Sequence, residues 1–144
     1  MTEGRCLCGA VRVSVAAPMT EISACHCGMC RRWSGAMQMG IEVPQDKVVV
    51  SGPIKTYRSS SFAERAWCDS CGLALWFRDV EGPNTGWFEL APGLFDNAAG
   101  AKLVREVYAD RCPEGYRLEG DAVARMSQKD YEAVYPHVNE ETKP

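Results

Sequence analysis

Cys25-His26-Cys27-Gly28-Met29-Cys30-Arg31-Arg32-Trp33-Ser34-Gly35 is the stretch on which the reading of this chain turns. Three thiols and an imidazole fall within six residues, and two arginines follow at once. Packing gives a domain no reason to crowd thiols in this way. Thiolates are soft ligands for zinc or iron, and one tight turn can aim several of them at a single ion. The stretch therefore predicts a metal centre, either structural or reactive.

Around it lies an ordinary globular composition. The 144 residues are 46% hydrophobic and 24% charged, which fits one domain with a single core. A net charge of −3 argues against a general nucleic-acid binder, which needs a basic face for phosphate. Met1 to Arg5 lacks the apolar region of a secretory signal, and no apolar run approaches the roughly 20 residues that span a bilayer. The expected compartment is the cytoplasm, and no membrane partner is expected. Clustered cysteines in the cytosol read as metal ligands or redox groups, whereas an exported chain would use eight of them as a disulfide framework.

The flanking sequence is rich in short strands. Val11, Val13 and Val15 alternate with Arg12 and Ser14, the period of a half-buried strand, and Met19 to Ala24 forms a second that delivers the Cys25 stretch. Met37, Met39, Ile41 and Val43 alternate with polar neighbours as far as Pro44, the two methionines reading as core filling. Further strands are expected at 47–50, 54–58, 64–67, 73–77, 87–90 and 103–109, separated by turns such as Ser51-Gly52-Pro53. Only the end reads as helix: Ser127 caps it, Asp130 suits its first turn, Tyr131, Val134 and Tyr135 face inward, and Pro136 stops it. The expected class is mainly β with a short C-terminal helix.

Seven cysteines fall into three groups: Cys6 and Cys8; Cys25, Cys27 and Cys30; Cys68 and Cys71. The first and third share a following glycine, Gly9 and Gly72, which tolerates the left-handed backbone of a turn whose amides point at sulfur. The simplest pairing joins these four thiolates into one closed structural site, with zinc preferred and iron the rival. Cys25, Cys27 and Cys30 then stand as an incomplete set. His26, Cys112 and His137 are the candidates to close it, His26 being strained by its place between two ligands. A second closed structural zinc is the plain alternative.

An open zinc on three thiolates keeps a net charge of −1. It should acidify water weakly yet accept a further thiolate, which favours thiol chemistry over peptide hydrolysis. Arg31, Arg32 and Arg65 would offset that charge or bind a substrate carboxylate, or else sit in a solvated turn. Trp33, Trp67, Trp76 and Trp87 would line a pocket or fill the core.

Three ordered blocks now carry a specific resemblance: Gly4-Arg5-Cys6-Leu7-Cys8-Gly9-Ala10-Val11; Cys25 to Arg31 with Ser34-Gly35; and Trp67-Cys68-Asp69-Ser70-Cys71-Gly72. The chain resembles the glutathione-dependent formaldehyde-activating enzyme family, whose domain also occurs in centromere protein V. The resemblance covers residues 2–118 as a zinc-binding domain and leaves 119–144 as a C-terminal extension with the short helix. It implies a β-tent fold built around two zinc ions per chain. Cys6, Cys8, Cys68 and Cys71 would hold the structural ion. Cys25, Cys27 and Cys30 would be the catalytic ligands of the open one. It further implies carbon–sulfur lyase activity on small thiol/carbonyl adducts, joining formaldehyde and glutathione as S-(hydroxymethyl)glutathione. The chain departs from the family's later Gly-Thr-Leu-Asp block at Gly93-Leu94-Phe95-Asp96. A non-catalytic zinc-stabilised binding module and a thiol redox sensor are the competing classes. The sequence leaves a homodimer open, along with the identity of the thiol.

Overall fold

The protein is described here from a computed structural model that covers residues 1–120 and 123–142. Its strands are β1 (Thr2–Arg5), β2 (Arg12–Val15), β3 (Glu21–Cys25), β4 (Gln38–Pro44), β5 (Val48–Ser51), β6 (Ile54–Arg58), β7 (Ala63–Cys68), β8 (Ala74–Asp79), β9 (Trp87–Leu90), β10 (Lys102–Val107) and β11 (Ala124–Met126). Two α-helices, α1 (Gly28–Ser34) and α2 (Gln128–Val134), complete the described regular structure with several short 3-10 turns. The mainly β class and the short C-terminal helix are as expected. The helix α1 is not: the sequence reading placed that stretch in a turn.

The chain forms two compact units. The first, Met1–Glu21 with Gly40–Ala101, contains a three-stranded sheet in the order β1-β2-β5 and the five strands β4-β9-β8-β7-β6. Alternation explains β2, where Val13 and Val15 are buried and Arg12 is exposed, and β4, where Ile41 and Val43 are buried around an exposed Glu42. Met37 and Met39 are only half-buried, so they sit at the margin of the core. Strand β8 breaks the period, because Leu75 and Trp76 are both buried. The register of β7 on β8 pairs Ala66 with Trp76 and Trp67 with Ala74, so Leu75 is the extra residue of a bulge. A bulge turns successive side chains off strict alternation, and Trp76 then packs on Phe88 with ring centroids 4.9 Å apart. Arg65 on β7 is buried with its guanidinium 4.9 Å from the Phe77 ring centre, which makes it a core cation and not a member of a solvated turn.

Two backbone features of this unit limit what can be substituted. Asn97, Ala98 and Ala99 are consecutive left-handed residues with φ of 48°, 49° and 56°, each costing roughly 1–2 kcal/mol for an L-residue. Gly52, in the turn between β5 and β6, has φ of 113°, and a Cβ there would collide with the Ala10 carbonyl oxygen and lie 2.9 Å from Val11 Cα. Both obstacles are rigid backbone beside the Cys6–Val11 loop. Gly52→Ala is expected to lower stability by about 3 kcal/mol, read as a shift of the urea midpoint. An unchanged midpoint would mean that this close approach does not constrain the loop.

The second unit, Ile22–Met39 with Lys102–Pro144, contains strands in the order β11-β10-β3, with β10 and β11 parallel and Val107 opposite Met126. Helix α2 begins as the sequence predicts: Ser127 Oγ accepts from the Asp130 amide at 3.1 Å. Tyr131 and Tyr135 are half-buried, but Val134 is 57% exposed, a correction to its expected inward face. Pro136 follows the helix and opens a 3-10 turn over Pro136–Thr142, where its fixed φ is favourable. Among the described residues no helix is long and apolar enough to cross a membrane.

Candidate metal centres

Two hairpin tips build the first cluster. The last paired residues of β1 and β2 are Arg5 and Arg12, and those of β7 and β8 are Trp67 and Ala74. The intervening loops, Cys6 to Val11 and Cys68 to Leu73, are of equal length and fold alike. Cys6 N–H donates to Val11 O and Cys68 N–H to Leu73 O, while Gly9 and Gly72 both take φ of 79°. That left-handed step turns amides toward sulfur, and Val11 N–H donates to Cys6 Sγ at 3.2 Å.

The result brings Cys6, Cys8, Cys68 and Cys71 together with all four sulfurs within 4.8 Å of one another. Cys6 and Cys8 Sγ lie 3.5 Å apart, and Cys8 and Cys68 Sγ 3.9 Å apart. A zinc–sulfur bond of about 2.3 Å gives a tetrahedron with edges of about 3.8 Å, so the spacing fits such an ion. Electrostatics agree. Burial pushes the Cys6 thiol up, but the Val11 amide and the thiols of Cys8, Cys68 and Cys71 bring it down to about 6. The Ala10 amide favours the Cys8 thiolate, yet Cys6, burial and the other sulfurs outweigh it and raise that thiol to about 11. Leu73 and Cys8 amides lower Cys71. A divalent cation at their centre would balance the charge of four thiolates held this close.

The second cluster is Cys25, Cys27 and Cys30, again with sulfurs within 4.8 Å of one another. Cys25 ends β3 and is half-buried; Cys27 and Cys30 are buried. Cys27 is the N-cap of α1, with φ of −61° and ψ of 159°, and its sulfur accepts the Cys30 amide at 3.3 Å. The helix thus places two of the sulfurs by the same geometry that starts it. Gly35, at φ of 88°, closes it by donating to Arg31 O at 2.9 Å. The sulfurs of Cys27 and Cys30, with burial adding, push the Cys25 thiol well above its ordinary range. Three sulfurs held this close are a donor set suited to a soft divalent cation. Among the described residues, no further His, Cys, Asp or Glu joins the group.

His26 is fully buried, and its amide, its carbonyl and its ring Nε2 are each tied. Its amide donates to Val107 O at 3.1 Å, its carbonyl accepts Arg31 Nε at 2.9 Å, and its Nε2 meets Glu106 Oε1 at 2.7 Å. Glu106 Oε2 in turn holds Arg125 Nε at 3.0 Å. The ring therefore points into a carboxylate on β10, and His26 fixes the turn that carries Cys25 and Cys27.

The remaining candidates lie elsewhere. Cys112 Sγ donates to Tyr116 O at 3.2 Å, and burial and Glu106 push its thiol up against the opposing pull of Arg31. His137 stands edge-on to Tyr135, 6.3 Å between ring centres. Neither residue belongs to a cluster. Trp76 is core and Trp87 is largely exposed. Glu106, Tyr108 and Arg125 escaped the sequence reading, and Tyr131 entered it only as an inward-facing residue of the C-terminal helix. Tyr108 is buried with Cys27, Cys30 and Val107, and Tyr131 packs against that group. Glu106 is 80 residues from His26, so no local spacing could have announced the pair.

A crystal structure of a Rhodobacter sphaeroides protein matches this fold with a TM-score of 0.53 at 17% identity, over 87% of this chain and 99% of that one. An uncharacterized lyase of Schizosaccharomyces pombe is 32% identical over 115 residues, 79% of this chain and 82% of the relative. A Halomonas elongata protein, named provisionally as a glutathione-dependent formaldehyde-activating enzyme, is 34% identical over 93 residues, 58% of this chain and 59% of the relative. The family model described as glutathione-dependent formaldehyde-activating enzyme matches residues 1–111, a span that contains both cysteine clusters. By that match, the chain belongs to the glutathione-dependent formaldehyde-activating enzyme family.

Proposed function

We propose that this protein is a zinc-dependent carbon–sulfur lyase acting on adducts of small thiols and carbonyl compounds, with glutathione and formaldehyde as the leading pair. The proposal includes a β-tent domain over residues 2–118, with 119–144 as its extension. Cys6, Cys8, Cys68 and Cys71 are its structural ligands, and Cys25, Cys27 and Cys30 its catalytic ones. The observation that carries it is the difference between the clusters: four sulfurs in one, three in the other. Closed tetrahedral sites are structural, whereas three protein ligands leave room for substrate. The family names support the lyase class and the thiol.

Zinc bound by the three cysteines would supply a soft acid that favours the thiolate form of an incoming thiol. In the forward direction the sulfur lone pair bonds to the aldehyde carbon, the C=O π pair moves to oxygen, and that oxygen takes a proton from water. The thiol proton leaves to solvent, and the reverse reaction breaks the same C–S bond. His26, fully buried against Glu106, holds the ligand turn and has no path to the substrate. Arg31 is pinned beside that turn through Nε, and the rest of its planar fork suits a carboxylate such as those of glutathione.

The test replaces zinc by cobalt(II) and follows its charge-transfer bands while glutathione, cysteine or 2-mercaptoethanol is added. Glutathione is expected to alter the bands in the intact protein and not in Cys25→Ala. If no thiol alters them, the lyase reading fails and a metal-stabilised binding module takes its place.

A further inference from the structure

We infer that Tyr131, on the helix beyond the family-matched segment, is a specificity-determining wall of the three-cysteine centre that limits the size of the entering thiol. The inference rests on the lyase reading above for the identity of the ligand, but its geometry stands apart from it. The family match ends at residue 111, whereas α2 spans Gln128–Val134. Tyr131 packs against the buried group of Cys27, Cys30, Val107 and Tyr108, on which Cys25 and Met29 also lean. Cys25 is the one partly buried residue of the cluster while Cys27 and Cys30 are buried, so the side of Cys25 is the least covered approach for a ligand. Met29 and Tyr131 are the large partly buried side chains packed on that group. A flexible thioether and a flat aromatic ring both make favourable contacts with sulfur.

The helix is tied where it sits. Tyr108 OH donates to Glu132 Oε1 at 3.2 Å, and the Gln128 amide donates to Asp110 Oδ1 at 2.7 Å. Arg111 Nη1 donates to Gln128 Oε1 at 3.3 Å, and Gln128 Nε2 to Glu132 Oε1 at 3.1 Å. The Tyr108 and Tyr131 rings are 5.5 Å apart at 55°, the tilted contact that aromatic pairs prefer. Tyr108 holds φ of 52°, a left-handed conformation that a bulky residue keeps only when its surroundings fix it. That backbone step ends β10 and turns the Tyr108 ring into the cysteine group under Tyr131. The extension is thus built onto the centre by both main chain and side chains.

The experiment compares the as-isolated protein with Tyr131→Ala, Tyr131→Leu and Tyr131→Phe, each with its thermal transition recorded. Alkylation of Cys25 is followed by peptide mass spectrometry with a small maleimide and with one carrying a bulky aromatic group. Tyr131→Ala is expected to raise the bulky-to-small rate ratio about tenfold, Tyr131→Leu less, and Tyr131→Phe not at all; should Tyr131→Ala unfold, Tyr131→Leu carries the comparison. An unchanged ratio in folded variants overturns the inference, since a merely structural tyrosine would leave it unmoved. The cobalt-loaded proteins are then titrated with glutathione and 2-mercaptoethanol, and the affinity ratio should shift the same way. Thiols that bind with an unchanged ratio sink the role of Tyr131 alone. A wild-type protein that binds no thiol sinks the lyase reading, while the alkylation ratio still decides the wall.

Discussion

Cys68→Ser is expected to abolish cooperative folding of the unit that contains it, with loss of native far-ultraviolet dichroism and of the metal proposed for the four-cysteine cluster. Cys68 is buried at the end of β7, and its sulfur lies 3.9 Å from that of Cys8 across 60 residues of chain. The hairpin tips it joins carry β1-β2 and β7-β8. Structural zinc in small thiolate sites contributes an apparent ~10–16 kcal/mol at neutral pH, against a total stability of about 5–15 kcal/mol for a domain. Serine keeps the volume but replaces a soft thiolate by a poor ligand, so most of that free energy goes. Metal analysis and a thermal melt check the result. A variant that melts within a few degrees of the native protein would show that this cluster does not hold the fold together.

What the sequence disclosed and what it hid follow from range. Period-2 alternation revealed β2 and β4, because one-sided burial writes itself into neighbouring residues. Gly9 and Gly72 were readable for the same reason: a left-handed step after a cysteine needs a glycine locally, and both adopt φ of 79°. Ser127 likewise announced α2 through a contact three residues away. Helix α1 was hidden by its brevity. Over Gly28–Ser34 only Cys30 is buried, so no apolar stripe forms and the stretch reads as a turn. Val134 looked inward by helical period, yet it is Tyr131 that packs on the cysteine group, and period alone cannot say where a short helix docks. The Cys25 cluster itself was legible from spacing. Its supports were not, because Glu106 and Tyr108 reach it from β10 and the residue that follows, and Tyr131 from α2.

Cys25→Ala is expected to lower metal content by one ion per chain and thiol–aldehyde adduct turnover by about a thousandfold, while the melt stays within a few degrees of the native protein. The rate figure corresponds to about 4 kcal/mol of lost transition-state stabilisation, the scale on which a bound metal acts. The choice of cysteine matters. Cys27 is fully buried and caps α1, so Cys27→Ala would remove a helix cap worth about 1 kcal/mol together with a proposed ligand, confounding fold and chemistry. Cys25 ends β3 partly buried, and its loss leaves the cap, the His26–Glu106 contact and the buried Cys30 in place. Exchange of isotopically labelled formaldehyde between water and its glutathione adduct, followed by NMR, measures turnover above the spontaneous reaction. Retained turnover would move the chemistry away from this cluster. Loss of the fold would make the three-cysteine centre structural, and with it the difference between three sulfurs and four would cease to be an argument for catalysis.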